Sequence, residues 1–127
     1  MIGSIVIGLA SGIVGFIGVY WLKSKLKYDD SLDAFGVHGL NGIWGAIATG
    51  IFANPSVNSA GKGLLYGNSA QVIVQFEAVL ATIVYTAIMT TILYFITSVL
   101  TGGARVDEET EVIGLDESVH GERGFEI

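Results

Sequence analysis

Two long stretches of the chain carry no charged side chain, and this constrains the fold more than any other feature. Residues 1 to 22 and residues 78 to 104 contain no Asp, Glu, Lys or Arg. A helix needs about 20 mostly apolar residues to cross the hydrocarbon core of a bilayer. The apolar runs therefore predict an all-α membrane protein with three transmembrane helices, over residues 2–22, 32–53 and 71–100. Residues 1–101 form the membrane part, and residues 102–127 form a polar tail.

The lysines predict how these helices are oriented. Lys23, Lys25 and Lys27 lie between the first two apolar runs, whereas Lys62 is the single lysine between the second and the third. Cytoplasmic loops carry an excess of Lys and Arg. We therefore expect a multi-pass protein of the cell membrane, with its N-terminus outside and its tail in the cytoplasm.

The composition excludes several classes of function. The net charge of −6 comes mostly from the tail, because eight of the twelve acidic residues lie at or after residue 107. Without clustered Lys and Arg, nucleic-acid binding is not expected. The chain has no cysteine, and His38 and His120 are its two histidines. We therefore predict no metal site, no cofactor and no enzymatic activity.

Glycines recur at intervals of three or four residues along the first two helices, at positions 8, 12, 15 and 18 and at positions 36, 39, 42 and 45. Small residues let membrane helices approach closely. We expect most of these glycines to pack against neighbouring helices. The alternative is that some of them leave open volume beside a pore.

His38 is an ionisable ring inside the second apolar run, about 10 Å from its start by helical rise. Such residues tend to face a protein interior or a cavity. On a helix, His38 shares a face with Asn41, Gly42, Gly45 and Thr49. One interpretation is a neutral ring hydrogen-bonded to a neighbouring helix, and the other is a pore-lining group that accepts and donates protons.

Carboxylates mark the start of the second helix. Asp30 or Ser31 suits the N-cap, and Asp33 suits the first turn, where a carboxylate complements the helix dipole. Capping alone explains Asp30 and Asp33, although Asp33 could also face a polar vestibule on the cytoplasmic side.

The segment "DDSLDAFGVHGLNGIWGAIATGIFA", residues 29–53, resembles the signature of the Amt/Mep/Rh ammonium transporter family, and of its Amt branch in particular. "QVIVQFEAVLATIVYTAI" resembles the family's long last helix, and "GLDESVHGE" resembles its cytoplasmic C-terminal region. The resemblance implies that the chain corresponds to the last three of the family's eleven transmembrane helices. It also implies a homotrimer, with ammonium or ammonia as the transported species. The chain is therefore expected to be a fragment that cannot enclose a pore alone.

The resemblance also implies roles for individual residues. His38 would be one of two histidines that line the pore and relay protons, Ala34 would line the inner pore exit, and Asp33 would lie in the inner vestibule. The regulatory tail, which responds to PII-type signal proteins in this family, would use Gly114, Leu115, Asp116, His120, Gly121 and Glu122. Two alternatives remain: an ammonium sensor or regulatory relative without net transport, and a structural membrane subunit in which His38 only packs.

Overall fold

The computed structural model describes residues 2–124, and the secondary structure of that part of the chain is helical. The first helix, α1, spans Ile2–Leu26. It is α-helical over Ile2–Phe16, contains a π-helical turn at Ile17–Leu22 and closes with the turn Lys23–Leu26. The prediction ended this helix at residue 22, where the charges begin. The helix instead continues because lysines are ordinary helix formers once the backbone is in contact with water.

The second helix, α2, consists of a π-helical turn at Phe35–Gly39 followed by an α-helix at Leu40–Phe52. It begins three residues later than the predicted start at residue 32. The reason is Asp33, whose φ of 54° is left-handed and cannot belong to a right-handed helix. The predicted position of Asp33 in the first turn is therefore wrong, and this residue lies just before the helix.

The third helix, α3, spans Ala70–Thr101, after a 3₁₀ turn at Leu64–Tyr66. At 1.5 Å per residue, its 32 residues extend about 48 Å, well beyond the ~30 Å core of a bilayer. No residue of α3 is buried within the described part of the chain. A helix that is apolar on all sides and uncovered requires a lipid or protein environment.

Two of the three predicted spans, α1 and α3, are long and apolar enough to cross a membrane. Among the described residues, α2 is not apolar enough to meet the same condition. The difference arises because His38, Asn41 and five glycines lower the hydropathy of α2.

The tail contains a short helix, α4, at Glu108–Ile113, and a π-helical turn at Asp116–His120. The chain divides into two compact units between Ile83 and Val84, within α3. In the first unit, the packing is concentrated between α1 and α2. Ala48 of α2 is the one buried apolar residue among the described residues.

Candidate functional site

The exposed face of α2 carries the ring of His38. Both His38 and Ala34, one turn earlier, are exposed. Within residues 2–124, no hydrogen bond or ion pair of the imidazole is present, so the interpretation of a ring bonded to a neighbouring helix has no support among these residues.

Next to His38, the surface of α2 is formed by small residues. Among the described residues, a methyl group placed on Gly42 or Gly45 would have no neighbour within 4 Å beyond the helix's own backbone. Further along, the Thr49 hydroxyl donates to the carbonyl of Gly45 at 2.9 Å and is thereby satisfied within the helix. We call the set His38, Gly42, Gly45 and Thr49 the open strip. It offers one ionisable group and little side-chain bulk.

Asn41 was predicted to share this face, and the structure corrects that prediction. Its amide nitrogen lies 3.0 Å from where a Cβ on Gly15 of α1 would be, and it donates to the Val37 carbonyl at 2.9 Å. Asn41 therefore belongs to the contact between α1 and α2. Its Oδ1 is buried and has no hydrogen-bond partner among the described residues.

The opposite side of α2 packs tightly against α1. A methyl group on Gly36 would lie 2.9 Å from Val19 Cγ2 and 3.0 Å from the Val19 backbone nitrogen. Higher along the same contact, the indole Nε1 of Trp44 donates to the Ile7 carbonyl at 3.1 Å. These contacts fix α2 on α1 and leave the open strip on the other side.

The expectation that most of the eight glycines pack against a neighbouring helix is only partly correct. Gly15, Gly18 and Gly36 lie in the contact between α1 and α2, and Gly39 lies against the Phe35 ring of its own helix. At the remaining four, Gly8, Gly12, Gly42 and Gly45, an added methyl group would have no neighbour within 4 Å among the described residues.

The start of α2 is held by two aspartates. The Asp30 carboxylate accepts the backbone N–H groups of Ala34 and Phe35 at 2.8 and 2.9 Å, so Asp30 rather than Ser31 provides the cap. Asp33 instead forms an ion pair with Lys23 of α1, with 2.5 Å between Nζ and Oδ1. Both aspartates, which precede His38 in the chain, thus have structural partners.

The predicted tail residues lie together in the second unit. An open hollow of about 640 Å³ is lined by residues that include Gly114, Leu115, Asp116 and Glu122. The amide of Glu122 donates to the Asp116 carbonyl at 2.8 Å, and Gly121 turns the chain between them with a φ of 67°. The remaining predicted residue, His120, is exposed at the end of the π-helical turn.

The tail helix α4 has a well-formed N-cap. Asp107 accepts the backbone N–H of Thr110 at 2.9 Å and its hydroxyl at 2.9 Å. The hydrogen bond from the Thr110 backbone is the main reason that the pKa of the Asp107 carboxyl lies below its ordinary value. Among the described residues, no group of three or more His, Cys, Asp or Glu side chains is arranged to hold a metal ion.

Two contacts near the site were missed from the sequence. Lys23 was interpreted only as a topology signal, although its position at the end of one helix, ten residues before Asp33, allows an ion pair. The hydrogen bond from Trp44 to Ile7 could be anticipated only from the rule that buried indole N–H groups find an acceptor.

Comparison with known proteins gives consistent matches along the chain. The sequence profile of a family described as Ammonium Transporter Family matches residues 1–125. An ammonium transporter of Aquifex aeolicus (strain VF5) is 46% identical over 127 residues, which are 100% of this chain and 29% of that protein. An ammonium transporter of Bacillus subtilis (strain 168) is 48% identical over 124 residues, which are 97% of this chain and 30% of that protein.

A third relative, ammonium transporter Amt1 of Archaeoglobus fulgidus (strain ATCC 49558 / DSM 4304 / JCM 9628 / NBRC 100126 / VC-16), is 43% identical over 123 residues, which are 97% of this chain and 31% of that protein. The chain therefore spans about three tenths of the length of these curated relatives.

Proposed function

Because the chain belongs to the ammonium transporter family, we propose that it forms the C-terminal part of an ammonium transporter of the Amt branch. Its relatives are named ammonium transporters, and its helices α1 and α3 are long and apolar enough to cross a membrane. Transport is proposed for the protein that contains this segment, since residues 1–127 span only about three tenths of those relatives.

The exposed ring of His38 is the observation that carries this segment's role in transport. We propose that it lines the path of ammonia and acts as one of two histidines that pass a proton along it. A neutral imidazole accepts a hydrogen bond at one nitrogen while it donates from the other. The missing side-chain bulk at Gly42 and Gly45 supports the proposal, because a small molecule can reach the ring from this face.

The residues before His38 are assigned by position. We propose that Ala34, exposed and one turn earlier, borders the inner exit of the path, and that Asp30 and Asp33 shape the inner vestibule. Both carboxylates have partners within the chain, which supports a structural contribution to that vestibule. Ammonia that leaves past Ala34 would then meet a polar and largely neutralised surface.

The membrane orientation and the assembly are also part of the proposal. The three lysines from Lys23 to Lys27 support a cytoplasmic loop, hence an external N-terminus and a cytoplasmic tail. The uncovered surface of α3 supports burial against lipid and against other copies in a homotrimer. The ordered turn around Gly114 and Glu122 supports a regulatory tail that binds a PII-type signal protein.

The test is His38→Ala in the full-length transporter, reconstituted into vesicles. We expect methylammonium uptake or the exclusion of potassium to change by about 10²-fold, which is the lower end of what a positioned proton donor and acceptor contributes. The fraction of folded trimer should not change, because the ring makes no hydrogen bond or ion pair among residues 2–124. Val37→Ala, the neighbouring position with an exposed apolar side chain, is the matched control.

Normal uptake together with normal exclusion of potassium in His38→Ala would contradict the proposed relay. A loss of both activity and folded trimer in His38→Ala, with Val37→Ala intact, would show instead that the ring is required for packing.

A further inference from the structure

Lys23, in the last turn of α1, reaches across to the segment that starts α2. Its Nζ lies 2.5 Å from Asp33 Oδ1 and donates to the Asp30 carbonyl at 2.6 Å. Its side chain is 31% exposed and that of Asp33 is 33% exposed, so the pair is partly shielded from water. The side-chain amino group of Lys23 thus binds both aspartates before α2.

These two aspartates accept hydrogen bonds from the backbone at the start of the π-helical turn Phe35–Gly39, which contains His38. The Asp30 carboxylate accepts the N–H groups of Ala34 and Phe35, at 2.8 and 2.9 Å. The Asp33 carbonyl accepts the N–H of Val37 at 2.8 Å, directly before His38. Backbone donors at the start of α2 are therefore bonded to the same two residues that Lys23 contacts, through the Asp30 carboxylate and the Asp33 carbonyl, while Lys23 binds the Asp30 carbonyl and the Asp33 carboxylate.

Asp33 requires such support because its backbone is left-handed, with a φ of 54°. Residues with a Cβ rarely adopt this conformation, because the Cβ then crowds the following carbonyl oxygen. A two-point contact from Lys23 to the Asp33 side chain and to the Asp30 backbone stabilises the turn in this form. The neighbouring Lys25 makes a different contact, since its Nζ lies 4.6 Å from the centre of the Trp21 ring.

We propose that Lys23 is a positioning residue for the transport site: it sets the start of α2 and thereby the placement of the His38 ring. This inference rests on the transport function proposed above. Lys23 contacts neither the transported species nor the ring, and it acts through Asp30, Asp33 and the π-helical turn.

The experiment uses the full-length transporter in vesicles, with uptake of methylammonium normalised to folded protein. We expect Lys23→Met to lower uptake per folded molecule about tenfold, within the roughly hundredfold cost of a misplacement of about 1 Å at a reacting group. Lys23→Arg should recover most of the uptake. The exchanged pair Lys23→Asp with Asp33→Lys should recover part of the uptake. It restores the attraction between opposite charges but places the long side chain at residue 33 and the short one at residue 23. Lys25→Met is the matched control.

A double-substitution cycle separates positioning from a general structural role. If Lys23 acts through the ring, Lys23→Met should change the residual uptake of His38→Ala by less than about twofold. Equal uptake by Lys23→Met and Lys25→Met, or a full additional tenfold loss on top of His38→Ala, would overturn the proposal. Loss of folded protein with unchanged uptake per folded molecule would also overturn it, because the role of Lys23 would then be purely structural.

The outcomes distinguish this inference from the proposed function. If the unsubstituted transporter takes up no methylammonium or ammonium, the proposed function fails and the inference fails with it. If the unsubstituted transporter is active and Lys23→Met behaves like the control, only the role of Lys23 is wrong.

Discussion

Gly18 of α1 and Gly36 of α2 meet backbone to backbone: a methyl group on Gly18 would lie 2.9 Å from the Gly36 Cα. Both glycines lie in π-helical turns, Ile17–Leu22 and Phe35–Gly39. Turns of this kind widen a helix locally and often occur at functional sites. The two helices thus meet backbone to backbone at their π-helical turns, two residues before His38.

This contact predicts that Gly36→Ala destabilises the full-length transporter. The added methyl group would meet Val19 Cγ2 at 2.9 Å and backbone atoms of Val19 and Gly18 at 3.0 and 3.1 Å, and backbone atoms cannot move aside cheaply. We expect a loss of about 1–3 kcal/mol, typical of overpacking. Thermal unfolding in detergent measures it. Gly12→Ala, where a methyl group has no described neighbour within 4 Å, is the control, and an equal loss in both variants would refute the packing argument.

Trp44→Phe tests the hydrogen bond that crosses from α2 to the backbone of α1. The substitution keeps an aromatic ring but removes the Nε1–H that donates to the Ile7 carbonyl at 3.1 Å. We expect about 0.5–1.5 kcal/mol of destabilisation, which is the usual net contribution of one hydrogen bond. Chemical unfolding followed by circular dichroism reports it. Trp21→Phe, at a more exposed indole, should cost less, and the opposite order would show that the bond is unimportant.

The N-cap at Asp107 should make the stability of the tail helix α4 depend on pH. Hydrogen bonds from Thr110 lower the pKa of the Asp107 carboxyl in the folded state. A group with a depressed folded-state pKa stabilises the fold above its unfolded pKa of about 3.9, and that contribution is lost as the pH falls through the folded-state value. Helix α4 should therefore persist at neutral pH and weaken in acid below about pH 4.

NMR titration of the tail in the full-length protein measures this transition from the Thr110 amide shift. Asp107→Asn keeps an N-cap of similar strength without a titrating carboxyl, so the acid transition at Thr110 should disappear. Asp107→Ala should weaken α4 at every pH. A transition that survives in Asp107→Asn would assign it to another group.

Removal of residues 105–127 tests the regulatory tail. The ordered turn that includes Gly114, Asp116 and Glu122 would be lost, and we expect lower ammonium uptake or no response to a PII-type partner. Uptake and partner binding, measured side by side in vesicles, check this. Gly121→Ala is a milder variant, because its φ of 67° strains a residue with a Cβ, whereas Gly124→Ala introduces no close contact with the described residues. Unchanged uptake and binding in the deletion would leave the tail without this role.

The presence of the long apolar helices α1 and α3 could be predicted from the sequence because uncharged apolar runs determine where a membrane helix can lie, whereas the end of α1 at Leu26 was not predicted. The partners of individual glycines could not be predicted, because contact depends on where two helices cross. The regular spacing of Gly36, Gly39 and Gly42 does not indicate which of them contacts another helix. Asn41 shows the same limit. Its distance from His38 along the helix fits a shared face, yet the absence of a side chain on Gly15 leaves room for its amide on the α1 side. Asp33, with its left-handed backbone, likewise pairs with Lys23, a residue from another helix.

The modest hydropathy of α2 bears on how this protein enters a membrane during synthesis. An isolated helix that carries His38 and Asn41 partitions into lipid less favourably than α1 or α3. Its Trp44 and Asn41 face α1, which emerges from the ribosome first. The two helices are therefore suited to insert together as a hairpin, with α1 serving as the surface on which the less apolar helix leaves the translocation channel.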